Sequence, residues 1–296
     1  MASCIAAQDR DVPSMSGPPA VAGQTSEGYR AATLNARSCP APPAGKAVMP
    51  MSTKALLIVP ANNTTMEPEI AALCPELDTI LVARVRRPMR TLTADDMAGY
   101  GEATIEAVAP FVSERPDIVV HGCTAGGFLA GPAGNARIVE QLARATGAPV
   151  ISTADAMVEA LRHSGVRSTA VVTPYLPSVN QGLTRYVEAG GVEVETLSSF
   201  LCETTDALGA VTEPQVWEKA LATVTPQSRA LFIACSQLPT LGIIVPLRER
   251  LGIPVWSSVR ATAWAMARML GARGLHLSLL SREASAPAAR APALQA

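Results

Sequence analysis

The sequence predicts an α/β fold built from two pseudo-symmetric halves, each carrying a parallel sheet, with a cleft between them. Three observations point that way. The stretch His121-Gly122-Cys123-Thr124-Ala125-Gly126-Gly127 and the stretch Ala234-Cys235-Ser236-Gln237-Leu238-Pro239-Thr240 each follow a short apolar run, Asp117–Val120 and Ala230–Ile233. Each half also opens on a strand ending in proline, Leu56-Leu57-Ile58-Val59-Pro60 and Thr169-Ala170-Val171-Val172-Thr173-Pro174. Pro60 lies 63 positions before Cys123 and Pro174 lies 61 before Cys235, a near-equal spacing that marks an internal duplication too long for a solenoid repeat.

The pattern continues after each cysteine. Gly147-Ala148-Pro149-Val150-Ile151-Ser152-Thr153 and Gly252-Ile253-Pro254-Val255-Trp256-Ser257-Ser258 each lead into an alanine-rich helical pattern. A thiol at the end of a buried strand sits at the carboxyl edge of a parallel sheet, where open α/β folds place ligands. The turn into a helix brings backbone N–H groups that favour the thiolate, so both thiols are expected to have lowered pKa values. A single buried cysteine would ordinarily be a core residue. Two at matching positions of matching halves predict a thiol on each wall of the cleft.

In chain order, residues 1–53 are rich in Pro, Ala, Gly and Ser without a hydrophobic period and are expected to be disordered, with Cys4 and Cys39 carrying no function. Translation is expected to start at Met49 or Met51, and no apolar segment of signal-peptide type is present. The first α/β domain is expected over 54–152, completed by the helix at 258–281. The second is expected over 153–257, and 282–296 is expected to be a disordered tail. Strands are predicted at Lys54–Pro60, Thr79–Ala83, Val192–Leu197 and Arg229–Ala234 besides those above. Helices are predicted at Leu92–Phe111 with Thr93 as N-cap, Arg137–Ala145, Thr153–His163, Ser178–Ala189, Glu213–Thr223, Pro246–Leu251 and Ser257–Leu270.

Asn62-Asn63-Thr64-Thr65 after the first strand admits two readings: caps for the next helix, or amide and hydroxyl donors for a substrate carboxylate. Arg84, Arg86, Arg87 and Arg90 form the densest charge cluster. It reads either as a solvated loop or as a basic segment that attracts an anionic substrate. His121, at a strand end, reads as structural rather than as a base.

Composition narrows the function classes. The 296 residues carry a formal net charge of −1 and are only 4% aromatic, which gives no support to a nucleic-acid partner. No apolar run reaches the roughly 18–20 residues of a membrane span. The six cysteines are irregularly spaced and contain no C-x-x-C pair, so thiols in a reducing cytoplasm are expected. The three histidines are not at ligand spacing, and no metal is expected.

Pro60-Ala61-Asn62-Asn63-Thr64-Thr65-Met66-Glu67, Gly122-Cys123-Thr124, Thr173-Pro174-Tyr175 and Cys235-Ser236-Gln237-Leu238-Pro239 together resemble the maleate cis-trans isomerases. That group stands with the arylmalonate decarboxylases and the aspartate/glutamate and hydantoin racemases, and the resemblance runs from about Lys54 to Leu270. It implies the racemase-like fold of two domains with the active site between them, no cofactor and no metal. It implies that Cys123 and Cys235 are catalytic and that Asn63, Thr124, Tyr175 and Ser236 bind substrate. A further polar contact is implied near Glu203-Thr204-Thr205-Asp206. The decarboxylases lack the cysteine matching Cys123, so the pair favours isomerase or racemase chemistry. The expected partner is a small dicarboxylate or related carboxylate, and homo-oligomers are common among such enzymes. Alternatives are an amino-acid or hydantoin racemase, an arylmalonate-type decarboxylase and a non-catalytic small-molecule binding protein. The matched thiols argue against the last, because a receptor has no need of them.

Overall fold

The computed structural model describes residues 53–86 and 99–271. The expectations for residues 1–52, for Thr93, for Arg87 and Arg90 of the arginine cluster, and for the tail beyond 271 lie outside these residues.

Two four-stranded parallel sheets form the framework. The first contains β1 (Lys54–Pro60), β2 (Thr79–Val85), β3 (Ile118–His121) and β4 (Val150–Ser152), in the order β2-β1-β3-β4. The second contains β5 (Ser168–Thr173), β6 (Glu193–Ser199), β7 (Leu231–Ile233) and β8 (Val255–Ser257), in the order β6-β5-β7-β8. The two orders are the same topology repeated. In each sheet the chain moves outward from the first strand, then crosses back to its other side. The connections therefore diverge between β1 and β3, and again between β5 and β7, opening a crevice at the strands' carboxyl ends. Pairing Ile58 with His121 and Val172 with Ile233 fixes which turns share each crevice.

Short central strands buried on both faces read as continuous apolar runs, which is why Ile118-Val119-Val120 and Leu231-Phe232-Ile233 are legible. Leu57, Val59, Ile118 and Val120 join the core that continues into the second sheet. Leu56, Ile58 and Val119 face the other way, toward Tyr100, Ile138 and Leu142. Those last residues lie on α2 (Tyr100–Ala107) and α4 (Gly131–Thr146). The remaining helices are α1 (Met66–Leu73), α3 (Thr124–Leu129), α5 (Thr153–His163), α6 (Pro177–Ala189), α7 (Thr205–Gly209), α8 (Glu213–Thr223), α9 (Ile244–Leu251) and α10 (Ser258–Gly271).

Several elements differ from the sequence prediction. The helix expected over Leu92–Phe111 is α2 within the described residues, and Pro110 opens a separate 3-10 turn at Ala109–Glu114. Helix α4 begins six residues before the predicted Arg137, because Pro132 sits in its first turn, where its missing N–H costs nothing. Strand β7 is three residues rather than six, ending just before the turn that carries Cys235.

The halves are joined by buried polar contacts as well as by packing. Glu69 of α1 accepts from the Thr240 amide at 2.6 Å, the Leu241 amide at 3.0 Å and the Thr240 hydroxyl at 3.0 Å, all beyond β7. On α4, Asn135 bonds Asp155 of α5 at 2.7 Å and the Tyr186 hydroxyl of α6 at 3.0 Å. Helix α10 packs on both α5 and α1 and reaches strands of both sheets. Among the described residues no helix is long and apolar enough to cross a membrane.

Gly122, at the end of β3, has no room for a side chain. An added Cβ would lie 2.7 Å from Met66 Sδ, 2.9 Å from Val59 Cγ1 and 3.0 Å from the Ile58 carbonyl. The backbone oxygen cannot move without disturbing β1, so Gly122→Ala is expected to lower stability by about 1–3 kcal/mol, measured by urea denaturation.

Candidate active site

Four turns converge where the two crevices face each other. The turn after β1 supplies Asn63. The turn after β3 supplies Cys123 and Thr124. Tyr175 follows β5, and Cys235 and Ser236 follow β7. All six residues predicted from sequence line one cavity of about 50 Å³, together with Leu208 and Gln237. A larger open groove of about 550 Å³ lies between α6 and β6, but no cysteine lines it.

Cys123 is the N-cap of α3. It adopts an extended conformation and its sulfur accepts from the Gly126 amide at 3.3 Å. Helix α3 can begin so abruptly because its next residues are small. Gly126 lies against the Tyr100 ring and Gly127 against Ala154, and a Cβ at either would approach within 2.8 and 2.6 Å respectively. Close packing of α3 thus leaves no room for a side chain at Gly126 or Gly127. The Thr124 and Ala125 amides stand in its first turn, where helical N–H groups lack intrahelical acceptors.

Cys235 sits differently. Its φ is +129°, a conformation that side-chain-bearing residues rarely adopt. Its sulfur accepts from the Gln237 amide at 3.4 Å, and its own amide donates to Ser258 Oγ at 3.0 Å. Such strain costs about 1–3 kcal/mol and persists only where the surroundings enforce it.

The expected lowering of the thiol pKa is reversed at Cys235. Burial disfavours the thiolate and pushes it up to about 11, against smaller downward contributions from the Gln237 amide and Tyr175; the nearby Cys123 adds a smaller upward one. Loss of hydration outweighs the N–H donors because the sulfur is almost fully enclosed. Tyr175 is also raised well above its ordinary range, first by burial and then by the Cys235 charge. Its hydroxyl lies near both Cys235 and Thr124 without a fully formed hydrogen bond to either. That leaves an enclosed donor aimed between the two thiol turns.

Asn63 takes the first of its two expected roles and also reaches the opposing half. Its Oδ1 accepts from the amides of Thr65 at 3.0 Å and Met66 at 2.9 Å, capping α1. Its Nδ2 donates to Ser236 Oγ at 3.1 Å, and Ser236 in turn donates to the Gly122 carbonyl at 2.7 Å. Asn63 itself lines the cavity. Arg84 belongs to the same structure: it donates to the Asn63 carbonyl at 2.8 Å and pairs with Glu67 at 2.6 Å. The first arginine of the cluster therefore braces the Asn63 turn.

His121 is fully buried behind the Cys123 turn, 6.3 Å from the Tyr100 ring centre. Burial lowers its pKa to about 4, so it is neutral. No residue of 203–206 lines the cavity. Thr204 caps α7 by accepting from the Ala207 amide at 3.2 Å, and the wall is Leu208, one turn on. Within the cavity, this segment contributes the apolar Leu208.

Three functional contributors escaped the sequence reading. Gln237 grips Thr64, accepting from its amide at 2.9 Å and donating to its hydroxyl at 3.1 Å. Leu208 closes the cavity. Ser258 touches both thiol turns, accepting from the Cys235 amide and, at 3.1 Å, from Thr124 Oγ1. The matched Ser152-Thr153 and Ser257-Ser258 pairs were the one signal that could have found it. Among the described residues no Lys, Arg or His lines the cavity. Among the described residues no cluster of three or more His, Cys, Asp or Glu could hold a metal ion.

Comparison with known proteins gives a consistent result. A family model described as arylmalonate decarboxylase matches residues 56–278. The chain is similar to the maleate isomerase of Nocardia farcinica (strain IFM 10152), 28% identical over 72% of this chain and 88% of that one. It is similar to the maleate isomerase of Geobacillus stearothermophilus, 26% identical over 72% and 90%. Among solved structures it resembles a cysteine-to-serine variant of the Nocardia farcinica maleate cis-trans isomerase with a covalently bound succinylcysteine intermediate. The TM-score there is 0.69 and the identity 26%, covering 74% of this chain and 93% of that one.

Two outcomes test this geometry. Cys235→Gly relieves the strain that Cys235→Ala keeps, so the glycine variant is expected to be more stable by about 1 kcal/mol in urea denaturation. The second concerns pH. The folded state holds Cys235 protonated to about 11 against an ordinary value of 9.0. Its contribution to stability is then complete below about pH 9 and lost as pH rises through about 11. Urea midpoints between pH 8 and 11 should fall, and fall less in Cys235→Ser.

Proposed function

The chain belongs to the arylmalonate decarboxylase family, and within it we propose that it is a cofactor-independent cis-trans isomerase of maleate or a related small dicarboxylate. The observation that carries this reading is the pair of thiols, one from each half, bordering a single enclosed cavity. A decarboxylase needs one proton donor. An isomerase that works by addition and elimination needs a nucleophile on one side and an acid on the other. The cavity is small, about 50 Å³, and is lined by both thiols.

The roles follow from the two environments. Cys123 is the nucleophile: its sulfur caps a helix and accepts an N–H, an arrangement that favours the thiolate. Cys235, held protonated by burial, is the acid. The Cys123 thiolate adds to one alkene carbon, forming the S–C bond. The displaced π electrons move to the neighbouring carbon, where charge is shared with its carboxylate, and Cys235 delivers its proton there. The former double bond is now single and rotates. Cys235 then takes back the proton, the double bond reforms in the trans arrangement, and the Cys123 thiolate leaves. The product of the first half is a succinyl thioether on cysteine, the species named for the Nocardia farcinica variant.

The carboxylates are held by neutral donors: the remaining Asn63 N–H, the Tyr175 hydroxyl and the amides of Thr124 and Ser236, whose own hydroxyl hydrogens are given to Ser258 and to the Gly122 carbonyl. Preorganised dipoles of this kind stabilise developing charge. Four described cysteines lie outside any disulfide, which suits the reducing cytoplasm.

Cys123→Ala and Cys235→Ala are each expected to lower turnover of maleate by about a thousandfold or more. Cys74→Ala and Cys202→Ala should remain near wild type. Cys74 is tucked under α10 with its pKa raised to about 12 by burial. NMR in D2O with maleate, aspartate, glutamate, a hydantoin and an arylmalonate decides the class. Fumarate from maleate is expected, along with a Cys123 peptide heavier by one maleate in Cys235→Ser. Exchange of an α-proton without isomerisation would make the chain a racemase, and loss of CO2 a decarboxylase.

A further inference from the structure

We propose that Ser258 is a positioning residue that holds both thiol turns in register; the proposal rests on the two-thiol reading above. Ser258 is the first residue of α10 and is fully buried. Its Oγ accepts the Cys235 amide at 3.0 Å and the Thr124 hydroxyl at 3.1 Å. One oxygen thus links the residue that carries the second thiol to the residue that follows the first.

The bond to Cys235 has a specific mechanical consequence. Cys235 is held at φ +129°, and its amide is one end of the rotated peptide. A buried N–H must find an acceptor, and here the acceptor fixes the strained conformation. That conformation aims the Gln237 amide at the Cys235 sulfur, at 3.4 Å. The bond to Thr124 acts on the other wall, setting the hydroxyl beside Cys123. The internal duplication sharpens the point. Thr153 occupies the matching place at the start of α5, yet its hydroxyl is engaged by Thr262 of α10 at 3.0 Å. Thr262 also donates to the Ser258 carbonyl at 2.8 Å, so this residue of α10 anchors Ser258 and the first half together. Ser257 caps α10 by accepting the Arg260 amide at 3.2 Å, which leaves the Ser258 side chain out of helix capping.

The test compares Ser258→Ala with Ser258→Thr, a variant that keeps a hydroxyl of the kind Thr153 supplies in the first half. Ser258→Ala is expected to reduce kcat for maleate by about tenfold to a hundredfold, the effect of misplacing reacting groups, with KM changed less than about threefold and the melting temperature lowered by a few degrees, because the buried Cys235 amide loses its acceptor. Ser258→Thr should recover most of kcat. Iodoacetamide labelling at pH 9, read peptide by peptide, should slow several-fold at Cys235 in Ser258→Ala and stay constant at Cys74. Full kcat with unchanged Cys235 labelling in Ser258→Ala would overturn the proposal. So would a folded Ser258→Thr as impaired as Ser258→Ala. If the alanine variant does not fold, Ser258→Cys keeps the volume with a poor acceptor, and full activity there would equally overturn it. Labelling requires no substrate. A wild-type protein that leaves maleate untouched would refute the proposed reaction, while the Cys235 rate would still decide the role of Ser258.

Discussion

The active cavity depends on hydrogen bonds that cross from one half to the other at the carboxyl ends of the sheets. Asn63 reaches Ser236, Ser236 reaches the Gly122 carbonyl, Gln237 holds Thr64, and Glu69 holds the loop at Thr240. None of these groups could be buried alone without a cost of a few kcal/mol. Each is satisfied only when the opposing half is docked, so folding of the turns and docking of the halves are one event. The thiols gain their shared cavity as a consequence. A loosened interface would not merely widen the site; it would strand amides and carbonyls that have no other partner.

That interdependence explains the different states of the two cysteines. Both follow central strands and both receive a backbone N–H. Cys123 begins a helix in a relaxed extended conformation, whereas Cys235 is fixed in a strained turn and enclosed on all sides. Enclosure decides the protonation state of Cys235, since burial of a charge outweighs one or two modest dipoles. Two residues at matching places in the duplicated halves thereby stand in unlike surroundings, one capping a helix and one enclosed in a strained turn. The same principle keeps His121 neutral behind the Cys123 turn. There its imidazole supports packing against Tyr100 and contributes no positive charge to the site.

The cavity wall also shows what the family pattern leaves open. The stretch 203–206 contributes a helix cap, and Leu208 presents an apolar surface where a polar contact was expected. Asn63, Thr124, Tyr175 and Ser236, all uncharged, make up the polar lining together with Gln237. Arg84 acts at one remove, tied to Glu67 and to the Asn63 carbonyl, so its charge stiffens the turn that presents the amide.

From the order of residues alone came the duplication, the two sheets and both cysteines. These signals are local: an apolar run of four or five residues, a proline at a strand end, a small residue where a helix must start at once. Asn63, Thr124, Tyr175 and Ser236 were reached through the family resemblance, and the topology brings their turns to one cavity because each lies within a few residues of a strand end. Tertiary structure alone decided the raised pKa of Cys235, because enclosure is contributed by residues far along the chain. It also decided the identity of the closing wall, since Leu208 faces the cavity through the path of a short helix. The bracing roles of Arg84, Gln237 and Ser258 belong to the same class. Their partners lie 21, 173 and 23 positions away, and a hydrogen bond between such distant groups leaves no periodicity in the sequence from which it could be read.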